Sequence, residues 1–324
     1  MNLIIPMAGR GTRLRPQTSL TPKPLIEIAG KTIVQRIVEQ VERNSSTIIK
    51  EIGFIIERPD LEIEKMLKIV ATEIGIPYSV FFQHEPKGTA HAIYCAKKML
   101  LGPCFIVFSD TLFDAELNFN NGSSDDAYIF VKEVSDPRSY GVVQTNTEGQ
   151  IIDFIEKPTT PISKLAMVGM YYFKNGEVLA KEIKQIIQNK ILEKGEYQLT
   201  TALENLKNKK LVFLPKKIRS WLDFGTPKNL LKSHSMILKN ASYNYPEFKN
   251  TIIKKPCFIG DGVFIEDSII GPNVSLGPNS IIKSSKIKNS IIQSNCEIIG
   301  GTFKNSIIGH FVKYKNNSQE LNIG

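Results

Sequence analysis

Two glycines and four cationic side chains fall within the stretch Met7–Pro24, directly after a short apolar run, Leu3-Ile4-Ile5. Glycine lets a backbone turn tightly and face its N–H groups outward, as Gly9 and Gly11 would here. Such N–H groups line a concavity that suits phosphate oxygens. Arg10, Arg13, Arg15 and Lys23 bring positive charge to the same loop. A guanidinium forks onto phosphate oxygens, and an ammonium acts as a mobile point charge. The chemistry implied is polyphosphate binding at the carboxyl end of a sheet strand, where open α/β folds place their ligands. The loop is not a P-loop, because Gly-x-x-x-x-Gly-Lys-Ser/Thr is absent. It is not a dinucleotide fingerprint either, since the third glycine and the capped helix are missing. On glycines and charges alone, an ordinary basic surface loop remains the competing reading.

A longer pattern narrows this. Gly9-Arg10-Gly11-Thr12-Arg13-Leu14-Arg15-Pro16, followed by Pro22-Lys23-Pro24, resembles the signature of the sugar-1-phosphate nucleotidyltransferases. These are the NDP-sugar pyrophosphorylases, which include glucose-1-phosphate thymidylyltransferases and uridylyltransferases. Ala8-Gly9 stands where the family commonly has Gly-Gly. The resemblance implies that Ala8, Gly9, Gly11 and Thr12 bind nucleotide, and that Arg13 and Lys23 hold the triphosphate and the leaving pyrophosphate.

Further segments follow in the family's order. Asp110 ends the apolar run Cys104–Ser109, and Asp223 lies in Trp221-Leu222-Asp223-Phe224-Gly225-Thr226-Pro227, close to the family's Trp-x-Asp-x-Gly-Thr-Pro. A strand-end aspartate is by itself a common turn or cap residue. The resemblance implies that Asp110 and Asp223 hold Mg²⁺ between the phosphates. Gln83-His84-Glu85-Pro86-Lys87-Gly88-Thr89-Ala90-His91 is similar to the nucleobase segment, with Gln83 at the base edge and Gly88 letting the base approach. The Gln83 amide has both a donor and an acceptor to offer to thymine or uracil. Tyr140-Gly141, Phe154-Ile155-Glu156-Lys157-Pro158 and Val168-Gly169 resemble the sugar-phosphate side. There the resemblance implies that Gly141 approaches the sugar, Glu156 accepts from its hydroxyls, Lys157 binds its phosphate, and Val168 and Gly169 complete the pocket. Thr201 stands where a related segment often has Asp.

The resemblance implies transfer of a nucleotidyl group from a nucleoside triphosphate, dTTP or UTP favoured, to a sugar-1-phosphate, glucose-1-phosphate favoured. Both reactants are anions, so charge neutralisation and positioning are the catalytic tasks. Mannose-1-phosphate guanylyltransferase is an alternative. So are a bifunctional acyltransferase, with His310 as the one histidine in the C-terminal repeat, and a non-catalytic regulatory relative.

The elements that must position these residues are legible in the apolar spacing. Strand and helix patterns alternate from Asn2 to about Asn240. Strands are expected at 3–6, 52–56, 79–82 and 104–108, with helices at 32–42, 61–74 and 89–100 between them. Such alternation predicts an α/β, doubly wound, mostly parallel Rossmann-like sheet. Further strands are expected at 127–131, 141–144, 151–155 and 167–173, and helices at 177–187, 199–206 and 228–238. From about Pro256 an aliphatic residue beside glycine recurs roughly every six positions, as in Ile259-Gly260, Ile270-Gly271 and Leu276-Gly277. That is the spacing of a hexapeptide β-helix, and the resemblance implies a left-handed one. The expected division is a catalytic domain over 1–242, then a linker and β-helix over 243–324, with Leu-Asn-Ile-Gly at the end able to begin another rung. The repeat lies outside the phosphate motifs, so its removal is expected to leave them in place and to change association instead.

With 324 residues and 42% apolar, 23% charged composition, two domains with a sizeable core fit. The net charge of +9 favours anionic partners. The lysines are dispersed without a basic helix, which argues for phosphorylated small substrates rather than nucleic acid. No run is long enough to span a membrane, and the first residues lack a signal-peptide pattern. Cys95, Cys104, Cys257 and Cys296 have no metal-site spacing and read as reduced thiols of a cytoplasmic protein. A short β-helix exposes sheet edges and an apolar end, which favours a homo-oligomer.

Overall fold

The computed structural model describes residues 1–9, 11–18, 21–119, 125–160, 162–241 and 243–316. They fall into two compact units, one of Met1–Gly9 with Val34–Leu222, the other of Arg10–Ile33 with Asp223–Gly324.

The first unit is built on a nine-stranded sheet. Its parallel heart runs Cys104–Val107, Asn2–Pro6, Glu51–Ile56, Tyr78–Phe82 in space. Leu3, Ile4 and Ile5 are fully buried, as a strand covered on both faces requires. The helices between these strands supply the cover. Helix α1 (Ile33–Asn44) buries Ile33, Val34, Ile37, Val38 and Val41, the single face that its spacing predicts. Helix α2 (Leu61–Ile74) is capped by Asp60, which accepts from the N–H groups of Glu62 and Ile63, and it stops at Gly75 in a left-handed conformation. Helix α3 (Thr89–Cys95) is shorter than expected. Beyond Ala96 the chain tightens into a 3₁₀ turn, Lys97–Leu100, which buries both Met99 and Leu100.

The other half of the sheet is antiparallel, a feature that strand patterns alone do not disclose. Leu165–Phe173 pairs antiparallel with Cys104–Val107 on one side and Ala127–Glu133 on the other. It also meets Gly141–Thr145, which pairs with Ile151–Glu156. Phe213–Lys217 adds a parallel edge to Ala127–Glu133. Helices α4 (Gly176–Gln188) and α5 (Leu199–Asn208) cover this region with Leu179, Ile183, Leu203 and Leu206. The fold is thus α/β with a mixed Rossmann-like sheet.

The second unit holds the β-helix, as the repeat predicts. Three four-stranded parallel sheets stack coil upon coil. The register Cys257↔Val274 steps 17 residues and Val274↔Ser290 steps 16, so a coil is shorter than three hexapeptides. Ile265, Ile282 and Ile298 form one inward column and Ile270 and Ile287 another, all buried. Corners fall on Asn273, Asn279, Asn289, Asn295 and Asn305, each with positive φ. Asparagine tolerates that region because its short polar side chain bonds locally; Asn289 donates to Asn305 at 2.6 Å. The expected extra rung in Leu321–Gly324 lies outside the described residues.

Helix α6 (Pro227–Lys239) enters this unit from a Thr226 cap, and its buried His234 meets Ser275 of the β-helix at 2.7 Å. The N-terminal segment also packs here. Gln17 Nε2 donates to the Ile307 carbonyl and Gln293 Nε2 to the Glu27 carbonyl, both at 2.9 Å. The Phe258 ring lies over Gly30, where an added Cβ would come within 2.5 Å of it. This corrects the expectation that the repeat is separable from the phosphate motifs: the loop that carries Arg13 and Lys23 is tied to it.

Candidate active site

The predicted site residues divide between the two units.

In the first unit, the strand Asn2–Pro6 delivers Ala8 and Gly9. Met7 N–H bonds to the Ile55 carbonyl at 2.7 Å and extends the strand pairing up to the loop. Ala8 is buried, whereas Gly9 is exposed and has nothing within 4 Å of where a Cβ would sit. Next to this edge, Gln83 leaves the strand Tyr78–Phe82 with its backbone N–H on the Ile56 carbonyl at 2.8 Å. Its side chain is buried and its Nε2 donates to the Gly88 carbonyl at 3.0 Å. The same nitrogen lies 3.0 Å from His91 Nδ1. Gly88 is required by geometry. Its φ is +106°, and a Cβ would lie 2.5 Å from the Tyr197 carbonyl. Tyr197 clamps the loop, donating to Lys87 O at 2.8 Å and accepting from Ala90 N–H at 2.9 Å. Thr89 adds a second tie, its Oγ1 accepting from Leu199 N–H at 2.9 Å.

The sugar-side residues come together around an antiparallel pair and a bulge. Gly141 lies opposite Glu156 in the register, and a Cβ on it would be 2.9 Å from Glu156 Oε2 and 2.4 Å from Met167 Cε. Lys157, with φ of +48°, reaches Glu156 Oε1 at 3.7 Å, and its N–H bonds to the Tyr140 carbonyl. Burial raises the Glu156 carboxyl above its ordinary value; the Lys157 charge opposes the shift. Val168 and Gly169 form a bulge between Met167 and Tyr171. Their carbonyls are taken by Thr111 Oγ1 (2.9 Å) and Phe108 N–H (2.8 Å). Those bonds tie the bulge to the loop that carries Asp110. Tyr171, buried behind both, has its hydroxyl pKa raised by burial first and then by the charges of Glu156 and Asp110, which places both carboxylates within electrostatic reach of one ring. Thr201 donates to Glu193 Oε2 at 3.2 Å.

In the second unit, Gly11 adopts the left-handed conformation (φ 57°, ψ 29°) that starts a 3₁₀ turn, Thr12–Leu14. Its carbonyl accepts from Leu14 N–H at 2.9 Å and from Thr18 Oγ1 at 2.8 Å. The turn buries Leu14 and leaves Thr12 and Arg13 exposed. Lys23 opens a second 3₁₀ turn, and its Cβ lies 3.3 Å from where a Gly11 Cβ would stand, so Gly11 and Lys23 are brought together. Arg10 lies outside the described residues. Asp223 is half-buried, with Oδ1 accepting from Gly225 N–H and Oδ2 from Asn229 Nδ2, both at 2.6 Å. Its carboxylate thus also organises the turn into α6, a structural duty that the motif did not disclose.

Sequence reasoning missed His91, the Tyr197 clamp and Tyr171 as parts of the site. His91 lies in the first turn of the helix that opens after Gly88, and that nearness to Gly88 was the available signal for the first.

Fold and site together define a nucleotide-handling α/β enzyme class with an appended parallel β-helix. The chain belongs to the nucleotidyl transferase family, whose pattern it matches over residues 3–240. It is 30% identical to a bifunctional protein GlmU of Methanocaldococcus jannaschii, over 100% of this chain and 81% of that protein. It is 26% identical to a glucose-1-phosphate thymidylyltransferase of Streptomyces antibioticus, over 97% and 93% of the two chains. A solved structure of UDP-glucose pyrophosphorylase complexed with UDP-glucose superposes with a TM-score of 0.59 at 22% identity, over 74% of this chain and 99% of that one. The family makes sugar nucleotides from sugar-1-phosphates, and this chain is a sugar-1-phosphate nucleotidyltransferase. No helix among the described residues is long and apolar enough to cross a membrane.

Proposed function

We propose that this enzyme transfers a nucleotidyl group from dTTP or UTP, dTTP preferred, to glucose-1-phosphate. A phosphate oxygen of the sugar-1-phosphate attacks the α-phosphorus in line. A new O–P bond forms as the bond to the β-phosphate bridging oxygen breaks, and pyrophosphate leaves. No general base is required, because the attacking phosphate is ionised at neutral pH. The observation that carries the reading is Glu156, a carboxylate packed against Gly141 with Lys157 beside it. It pairs an acceptor for sugar hydroxyls with a cation for the sugar's phosphate.

In this reading Ala8, Gly9, Gly11 and Thr12 cradle the nucleotide, with Gln83 and Gly88 at the base. Arg13 and Lys23 hold the triphosphate. Gly141, Glu156, Val168 and Gly169 place the sugar, and Lys157 orients the nucleophile. Asp110 and Asp223 are hard oxygen donors of the kind that holds Mg²⁺ together with substrate phosphates and water. Mg²⁺, when bound, offsets charge around the α-phosphate. Asp223 suits this because each carboxylate oxygen, besides the hydrogen bond it accepts from Gly225 N–H or Asn229 Nδ2, has a second lone pair. The proposed division is a catalytic domain over 1–242 and a β-helix domain over 243–324, in a cytoplasmic homo-oligomer. Pyrophosphate release across a panel of nucleoside triphosphates and sugar-1-phosphates tests the substrates. A best pair outside dTTP or UTP with glucose-1-phosphate would overturn the assignment.

A further inference from the structure

The hydrogen bonds around His91 call for a neutral imidazole in one tautomer, and its partner is Gln83, the residue proposed to meet the base. A carbonyl oxygen can only accept, so the group of Gln83 that faces Gly88 O must be the amide NH₂. The second amide hydrogen then points at His91 Nδ1. That nitrogen accepts only when the ring is neutral with its proton on Nε2. Burial first, and the charge of Lys87 next, lower the His91 pKa; Glu85 opposes them weakly. The Tyr197 ring lies beside the imidazole, with the two ring centroids 6.4 Å apart. With both amide hydrogens engaged, the atom that Gln83 has left for a ligand is Oε1. The sequence reading, in which this amide offers a donor and an acceptor, is narrowed to an acceptor alone.

We propose that His91 is a positioning residue that sets base selectivity. By taking the second amide hydrogen of Gln83 it presents Oε1 as an acceptor to the ring N–H of uracil or thymine. Cytosine carries a lone pair at the same ring position and meets Oε1 with repulsion. Guanine, whose ring also has an N–H there, is not sorted by this device and must be rejected by size. The inference rests on the reading that Gln83 meets the base.

The test compares UTP with CTP at saturating glucose-1-phosphate in the full chain. Two variants remove the acceptor: His91→Leu, and His91→Phe, which keeps a ring against Tyr197. His91→Asn restores one, because its Oδ1 sits at the same distance along the side chain as Nδ1. In the acceptor-less variants the UTP KM should rise about tenfold and the UTP-to-CTP ratio of kcat/KM should fall about tenfold. The kcat with UTP and the KM for glucose-1-phosphate should stay within about twofold, which loosened packing would not spare. His91→Asn should recover most of the ratio. An unchanged ratio in a folded acceptor-less variant, or no recovery with His91→Asn, would overturn the inference. Calorimetric binding of UTP and CTP gives the same ratio without turnover. A chain that releases no pyrophosphate but loses its UTP preference on His91→Phe would therefore sink the catalytic reading and keep this one.

Discussion

Gly9 and Gly88 are both assigned to the nucleotide side in the proposed function, and the structure predicts opposite consequences for giving each a methyl group. At Gly88 the backbone sits at φ 106°, ψ 174°, a region essentially confined to glycine. Forcing alanine there costs about 1–3 kcal/mol of backbone strain. The new Cβ would also press within 2.5 Å of the Tyr197 carbonyl and 2.7 Å of its nitrogen, both backbone atoms that cannot swing away. Relieving such overpacking adds about 1–3 kcal/mol. Gly88→Ala should therefore lose about 2–6 kcal/mol, and at about 2–4 °C per kcal/mol its melting temperature should drop by at least about 4 °C. At Gly9 a Cβ meets nothing within 4 Å, and the backbone is one that L residues adopt. Gly9→Ala should melt within about 2 °C of the parent or slightly higher, since a compatible Gly→Ala change restricts the unfolded chain. Its activity should nevertheless fall at least about tenfold, or ~1.4 kcal/mol, because the methyl occupies space that a ligand needs. Differential scanning fluorimetry and pyrophosphate release measure the two effects on the same samples. A Gly9→Ala enzyme with parental kcat/KM would refute the claim that substrate approaches this backbone. A Gly88→Ala protein with parental melting would refute the geometric argument.

Other outcomes follow from the same geometry. Asp110→Asn and Asp223→Asn should each lower kcat/KM at least roughly a hundredfold, about 2.7 kcal/mol, in steady-state assays with Mg²⁺. Asp223→Asn should also lower the melting temperature, because an amide NH₂ would replace an acceptor facing Gly225 N–H or Asn229 Nδ2. Lys157→Ala should chiefly raise the KM for sugar-1-phosphate and Arg13→Ala chiefly that for nucleotide; identical effects of the two on both substrates would argue against separate subsites. Burial raises the Glu156 pKa above 4.5, so the folded state holds this proton more tightly than the unfolded chain does. Its ionisation weakens the fold as pH rises through that raised value, and sugar-1-phosphate KM climbs as pH falls through it. Lys194→Met removes a cation that favours the ionised form and should move the acid limb to higher pH; Glu193→Gln removes a like charge and should move it lower. Shifts in one common direction would contradict the electrostatic account. Deleting 250–324 should abolish turnover rather than merely change association, since Gln17 and the Glu27 carbonyl lose their partners; light scattering and activity of both forms would show which.

The buried strands and amphipathic helices were legible because their apolar spacing is dictated by covering a sheet on two faces. Helix α2 was placed at Leu61–Ile74 because Asp60 and Gly75 mark its ends in the sequence itself. The coil repeat was legible because each corner needs a small or left-handed residue. Strand direction was not legible, since Val142 or Met170 looks the same in parallel and antiparallel company. Thr111–Asp114 was missed for want of length, and Phe213–Lys217 because Pro215 and the lysines after it break the apolar pattern. Motif residues such as Gln83 and Glu156 were found by type and order. Their engagement was not, because whether an amide hydrogen is taken depends on a tautomer and a carbonyl several residues away.

The tie between the N-terminal loop and the β-helix has a consequence for how the molecule is made. Each coil pairs with one only 16 or 17 residues earlier, so the β-helix can grow as it is synthesised. Gln17 must instead wait for a carbonyl 290 residues later, and Glu27 for a side chain 266 residues later. At synthesis rates of about 5–20 residues per second, that wait is roughly 15–60 s. Throughout it the parallel strands of the sheet can already be paired while the segment bearing Arg13 and Lys23 has no seat. A nascent chain that stops before Ile307 therefore lacks the partner of Gln17, and one that stops before Gln293 lacks that of Glu27 as well.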